Sequence, residues 1–229
     1  MRTPSTDCES SWIAFDALPG VPIPEAGDAA PGGARFPAMA RLMGEWLAAF
    51  RELAPVPLPV DDLWSDPERL AVRGVGWGAA LPDLDAPERA ALERLLDRFA
   101  SMFAGRRVVL AHGDFAPVNV LTDGSSLTGL LDFESVRFAD ALFDVAWWEW
   151  SVSFSSPAVL ESARAAFLEG AGIDATEDEL DSRVRALQVL RMLELLSGDS
   201  LGPGIRRIVI DRLRATIRDA DHAARRLQR

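Results

Sequence analysis

The stretch AHGDFAPVNVLTDGSSLTGLLDFE, Ala111 to Glu134, decides how this chain is read. It sets His112, Asp114, Asn119, Asp132 and Glu134 among residues that are otherwise apolar or turn-forming. Just upstream, RRVVLAH reads as a strand. Within the stretch, VNVLTDGSSLTGLLDF reads as a hairpin, because Asp123-Gly124 between two apolar runs is a strong short-range turn signal. A tight loop beside a hairpin brings its polar residues close together, so these five side chains are candidates for one site.

Outward from this block the signals are helical. FPAMARLMGEWLAAFREL (36–53) carries Met39, Leu42, Met43, Trp46, Leu47, Phe50 and Leu53 at helical spacing. Asp85 reads as an N-cap with Pro87 in the first turn, ahead of a stripe of Leu92, Leu95, Leu96, Phe99, Met102 and Phe103 that ends near Gly105. DALFDVAWWEW, from Asp140, opens a strongly apolar helix, and its Trp147, Trp148 and Trp150 read as core packing. Helices follow over 157–170, from a capping box at Thr176 (TEDE) to Gly198, and from Pro203 onward. The acids of DATEDELD (174–181) read as a helix N-terminus favoured by the dipole. WIAFDAL (12–18) reads as a short buried strand, 19–34 as loop, and GVGWG (74–78) as a turn or loop. The fold class is therefore α+β, predominantly helical, with a small β-hairpin between helices. Strands and helices do not alternate regularly, which argues against a doubly wound sheet.

Composition narrows the function. With 48% hydrophobic residues in 229, a sizeable core is expected. No apolar run is long enough to cross a membrane, and MRTPSTDCESS lacks the apolar centre of a signal peptide. The single Cys8 forms no internal disulfide, in keeping with a cytoplasmic protein. All 24 basic residues are Arg, as a GC-rich bacterial genome would produce, so no lysine can clamp a phosphate and no P-loop is present. A net charge of −11 disfavours nucleic-acid partners and suits a cationic small molecule. There is no Gly-x-Ser-x-Gly elbow for a hydrolase, and one Cys with two separated His gives no zinc spacing.

The spacing inside the opening stretch has a chemical rationale. Asn119 lies five residues after Asp114, and Asp132-Phe133 lies 18 after it, at the end of the hairpin. The protein-kinase signature has that order: a His-x-Asp loop, an Asn five residues on, then Asp-Phe on the next strand. Phosphoryl transfer places charge on phosphate oxygens that metal ions must bridge, and hard oxygen ligands hold Mg²⁺. A separate Asp orients or deprotonates the attacking hydroxyl. The candidate catalytic residues are thus Asp114 and His112, the latter a hydrogen-bonding residue in preference to a base. The candidate metal ligands are Asn119 and Asp132. Glu134 is either a second metal contact or a solvated acid.

HGDFAPVNVL…GLLDFE…FADALFDVAWW resembles the aminoglycoside phosphotransferase family, small-molecule relatives of protein kinases that also include choline-kinase-like enzymes. The resemblance implies a protein-kinase-like C-lobe over 21–229, with a catalytic core at 108–150 and C-terminal helices at 151–229. Residues 1–20 would be the hinge strand and a remnant of an N-lobe, which the family places before the hinge. By the same resemblance, Asp144 supports the catalytic loop, and the backbone of Asp16 and Leu18 meets adenine. The implied activity is ATP- or GTP-dependent, Mg²⁺-assisted transfer of the γ-phosphate to a hydroxyl of a small molecule, such as an antibiotic. The chain reads as truncated in its N-lobe, leaving an apolar face near 12–18 that invites self-association. The alternatives are a non-catalytic remnant or interaction module with the same fold, and a metal-dependent phosphatase using the same acids.

Overall fold

A computed structural model describes residues 17–53, 62–154 and 157–227. Its elements run β1 (Val21–Pro22), α1 (Phe36–Arg51), α2 (Pro67–Ala79), α3 (Ala86–Met102), β2 (Val108–Ala111), β3 (Val120–Thr122) and β4 (Leu127–Leu130). They continue β5 (Arg137–Asp140), α4 (Phe143–Val152), α5 (Pro157–Gly170), α6 (Leu180–Ser197) and α7 (Pro203–Leu227), with short 3₁₀ turns between. The α+β, mostly helical reading holds. β1, β3 and β4 form one antiparallel sheet, and β2 pairs with β5 in a second, Val108 opposite Asp140.

The expected hairpin is β3–β4. Asp123 Oδ1 accepts from the backbone N–H of Ser125 and Ser126, each at 2.8 Å, and so closes the turn. At α3, Asp85 and Glu88 form a reciprocal capping box, with N–H···O distances of 2.9 and 3.0 Å. The core is built mainly between helices. Met39, Met43 and Leu47 of α1 and Phe167 of α5 are buried in it, and Trp148 stacks on Phe167 at 3.8 Å between ring centroids. α1 and α5 cross on glycine. A Cβ on Gly44 would lie 2.2 Å from the Phe167 carbonyl oxygen, and one on Gly170 would lie 2.1 Å from that of Arg41. A methyl group there would have to displace backbone, overpacking of the kind that costs about 1–3 kcal/mol.

Four local expectations are corrected. GVGWG is not a turn but the second half of α2, which Asp66 caps through the N–H of Glu68 and Arg69 at 3.1 and 3.0 Å. Its glycines serve helix packing: a Cβ on Gly74 would meet Leu190 at 2.5 Å, and one on Gly78 would meet Leu92 at 2.7 Å. Residues 137–140 form a strand, so the helix after them begins at Phe143 and not at Asp140. Strand pairing with β2 outweighs the short apolar pattern, and buried Arg137 is matched to Glu194 at 3.0 Å. Thr176 does not open a helix. It donates to Asp174 in a local turn, and α6 starts at Leu180 after Glu179 adopts φ +63°. Residues 12–16 of the expected strand lie outside the described residues, and Ala17 and Leu18 are exposed and not in a strand; β1 forms at Val21–Pro22, within the stretch expected as loop. Among the described residues no helix is long and apolar enough to cross a membrane.

Candidate active site

The two sheets present their connecting loops to one another. The turn after β2 carries His112, Gly113 and Asp114; a 3₁₀ turn at Pro117–Asn119 leads into β3; and Asp132 follows β4. The hinge of this arrangement is Gly113, at φ +86°. A Cβ at this position would lie 1.8 Å from the Ser135 carbonyl oxygen, so glycine is what allows the His112–Asp114 loop and the 132–135 turn to touch. The Leu131 N–H donates to the Asn119 carbonyl at 2.8 Å, which ties Asp132 to Asn119 through one neighbouring residue. Asp132 itself adopts the left-handed conformation, φ +64° and ψ +67°, and is exposed.

Asp144, at the first turn of α4, holds the loop from below. Its two carboxylate oxygens accept the backbone N–H of His112 at 2.8 Å and of Gly113 at 2.9 Å. Burial pushes its carboxyl above the usual range, while those two N–H donors and the nearby Arg51 guanidinium pull it back. The supporting role implied for Asp144 by resemblance is what the hydrogen bonds describe. Asp140 is also buried; it accepts from the Leu142 N–H at 2.8 Å and pairs with Arg106 at 2.8 Å.

His112 is fully buried, at 0% exposure. Its Nε2 lies 2.9 Å from the Leu131 carbonyl oxygen and its Nδ1 accepts from the Asp114 N–H at 3.3 Å. Both ring nitrogens are therefore engaged by backbone on opposite sides of the cradle.

Asp114 is partly exposed and fully oriented. Asn119 Nδ2 donates to its Oδ2 and to its backbone carbonyl, both at 2.9 Å. The Trp147 Nε1–H donates to its Oδ1. With Nδ2 committed, Asn119 Oδ1 is the oxygen of that side chain that could meet a cation, and Asp132 could add a carboxylate. Two hard oxygen donors from adjacent turns fit Mg²⁺, which keeps several waters and uses few protein ligands. Among the described residues no cluster of three or more His, Cys, Asp or Glu is arranged for a metal. Glu134 is exposed beside Asp132.

Trp147 is a candidate site residue that its sequence context does not reveal. It is buried, as a core residue would be, yet its indole N–H reaches the Asp114 carboxylate. Helical spacing puts Trp147 and Trp150 on one face but carries no sign of what that face meets. The two rings stack at 4.3 Å between centroids and, with Asp114, line a cavity of about 520 Å³. Trp147→Phe keeps the ring and removes one charge-assisted donor, worth about 1.5–3 kcal/mol. The expected outcome in steady-state kinetics is a fall in kcat of about tenfold or more with KM little changed.

The remaining sequence candidates lie apart from this cradle. Leu18 is 48% exposed and sits over β4, where a Cβ on Gly129 would meet its side chain at 2.8 Å; the adjacent Pro19 carbonyl accepts from the Thr128 hydroxyl at 2.6 Å. Asp16 lies outside the described residues. Three of the acids at 177–181 pair with arginines: Glu177 with Arg106 and Arg183, Glu179 with Arg183, Asp181 with Arg164. His222 is exposed on α7, as expected.

A family model described as a phosphotransferase enzyme family matches residues 1–187. Among solved structures, a type VIII aminoglycoside-3'-phosphotransferase is 25% identical with a TM-score of 0.51, over 78% of this chain and 66% of that one. An aminoglycoside phosphotransferase APH(3'')-Id from Streptomyces rimosus, in complex with ADP and streptomycin, is 21% identical with a TM-score of 0.54, over 79% and 68%. A choline/ethanolamine kinase family protein from Mesorhizobium loti is 14% identical with a TM-score of 0.61, over 90% and 66%. The chain spans about two thirds of the length of these structures. No curated protein matches the sequence at a significant level.

Proposed function

This chain belongs to the phosphotransferase enzyme family, and from that premise we propose that it transfers the γ-phosphate of ATP or GTP to a hydroxyl of a small molecule. The observation that carries the proposal is the joint placement of Asp114, Asn119 and Asp132. A partly exposed carboxylate, oriented on both oxygens, lines a cavity, and two further oxygen-bearing side chains stand on the adjoining turns.

In this reading Asp114 is the catalytic base. The acceptor O–H meets its carboxylate, the acceptor oxygen bonds to the γ-phosphorus, and the bond from that phosphorus to the bridging oxygen breaks. The nucleoside diphosphate leaves with that electron pair and the hydroxyl proton passes to Asp114. Asn119 and Asp132 would hold Mg²⁺, which would supply positive charge to offset that of the phosphate oxygens. Asn119 also positions the base, since its amide bridges the Asp114 side chain and backbone. His112 is a positioning residue, tying the Asp114 N–H to the Leu131 carbonyl across the cradle. We assign the backbone of Leu18 to adenine, together with that of Asp16, which lies outside the described residues.

Calorimetric titration of Mg·ATP into the chain and into Asp132→Ala tests the donor site. Micromolar binding is expected, weakened at least about tenfold in the variant, the scale on which even outer-shell partners of a metal act. Absence of binding up to millimolar Mg·ATP, or equal binding by both proteins, would overturn the assignment.

A further inference from the structure

The cavity beside Asp114 also says what kind of acceptor it fits, granted the phosphotransfer reading. Among the described residues that line it, Asp114 is the sole charged side chain and Ser151 the sole other polar one. The walls are Pro24, Pro31, Val118, Trp147, Trp150 and Phe154. A polycation would lose its hydration there with a single carboxylate in return, and that carboxylate is already bonded by Asn119 and Trp147.

Tryptophan walls offer a second way to hold a cation, through the π-face. Here those faces are taken. Trp147 and Trp150 stack on each other; the Arg191 guanidinium lies 5.4 Å from the Trp147 ring centroid, and that of Arg212 lies 5.0 Å from Trp150 and 4.1 Å from Phe154. Arg191 is paired with Glu194. Arg212 donates to the Trp150 carbonyl at 3.1 Å and to the Ser153 hydroxyl, and among the described residues no carboxylate lies within ion-pair distance of it. A cationic acceptor would thus meet occupied rings and an uncompensated positive charge behind them. The acidic surface of the whole chain points the other way, but through-space attraction acts on encounter and does not repay desolvation inside the cavity.

We infer that the acceptor is an uncharged, largely apolar alcohol, packed against the apolar walls of the cavity with its hydroxyl at Asp114. The ion-paired acids at 177–181 form no part of its recognition.

The test uses the full chain and four probes: 2-naphthylethanol, its ammonium counterpart 2-(2-naphthyl)ethylamine, choline and kanamycin. Binding is followed by calorimetry and by the indole N–H resonances of Trp147 and Trp150. The neutral alcohol is expected to bind saturably, at least about tenfold tighter than any of the three cations, a gap that reflects the cost of burying an unpaired charge. Val118, exposed at the cavity rim, supplies the control. Val118→Trp should abolish binding while the thermal midpoint stays unchanged. Arg212→Gln should raise the affinity of the ammonium probe by about threefold or more, as a ring face and a positive charge are released together.

Equal or tighter binding of a cation, survival of neutral binding in Val118→Trp, or no binding by the neutral probe would each overturn the inference. Transfer of labelled γ-phosphate to kanamycin but not to the neutral alcohol would overturn it while leaving phosphotransfer intact. Saturable, Val118-dependent binding of the alcohol, with no transfer from ATP to any hydroxyl, would uphold the cavity assignment and count against phosphotransfer.

Discussion

Asp114→Asn is expected to lower phosphotransfer by about 10²–10⁴-fold, the usual contribution of a positioned general base. The amide cannot take the acceptor's proton. It also presents an NH₂ to one of two donors, Asn119 Nδ2 or Trp147 Nε1, that now meet carboxylate oxygens. A modest drop in thermal midpoint should therefore accompany the loss of activity. Mg·ATP affinity should be nearly unchanged, because the base is not assigned to the metal. Asp132→Ala should show the reverse pattern, with nucleotide affinity lost first. An Asp114→Asn protein that keeps more than a tenth of the transfer rate would remove Asp114 from the role of base.

Gly113→Ala is expected to be the most destabilising single methyl addition in the catalytic loop. The new Cβ would sit 1.8 Å from the Ser135 carbonyl oxygen, against backbone that cannot swing aside like a side chain. The residue also holds φ +86°, which costs a non-glycine residue about 1–3 kcal/mol before any clash. Relief of the clash must separate the His112–Asp114 turn from the 132–135 turn, and with it the base from Asp132. We expect a loss of about 3 kcal/mol or more, a fall in thermal midpoint of roughly 6–12 °C for a chain of this size. Gly105→Ala is the matched control. Gly105 holds φ +70° with open space around its Cβ direction, so it reports the backbone term alone. If the two variants lose equal stability, close approach is not why glycine stands between His112 and Asp114.

The features legible in advance were local ones. The β3–β4 hairpin follows from Asp123-Gly124 between apolar runs, and the start of α3 from Asp85 and Glu88 three residues apart. Such features involve groups a few residues apart, so the chain's own geometry nearly satisfies them. The helix stripes of α1, α3 and α7 were readable because one face of each is buried and the other wet. α2 escaped that logic. Its Gly74 and Gly78 carry a turn signature in isolation, and only the closeness of Leu96, Leu190 and Leu92 shows why a helix needs them bare. β5 escaped as well, since Arg137-Phe138-Ala139-Asp140 becomes a strand only with β2 beside it.

The site divides along the same line. Residue types and their order, with Asn119 five residues beyond Asp114 and Asp132 after the hairpin, were set by sequence alone, because a loop and a hairpin impose that spacing on any groups that must converge. Tertiary structure decided what those groups touch. Asp144 reaches the His112 and Gly113 amides across 32 and 31 residues, and the Trp147 indole reaches Asp114 across 33. Arg191 and Arg212 arrive from α6 and α7 to cover the tryptophan faces. Hydrogen bonds and ring contacts between distant segments depend on how helices pack, and packing is settled by the whole core at once and not by any one window of residues.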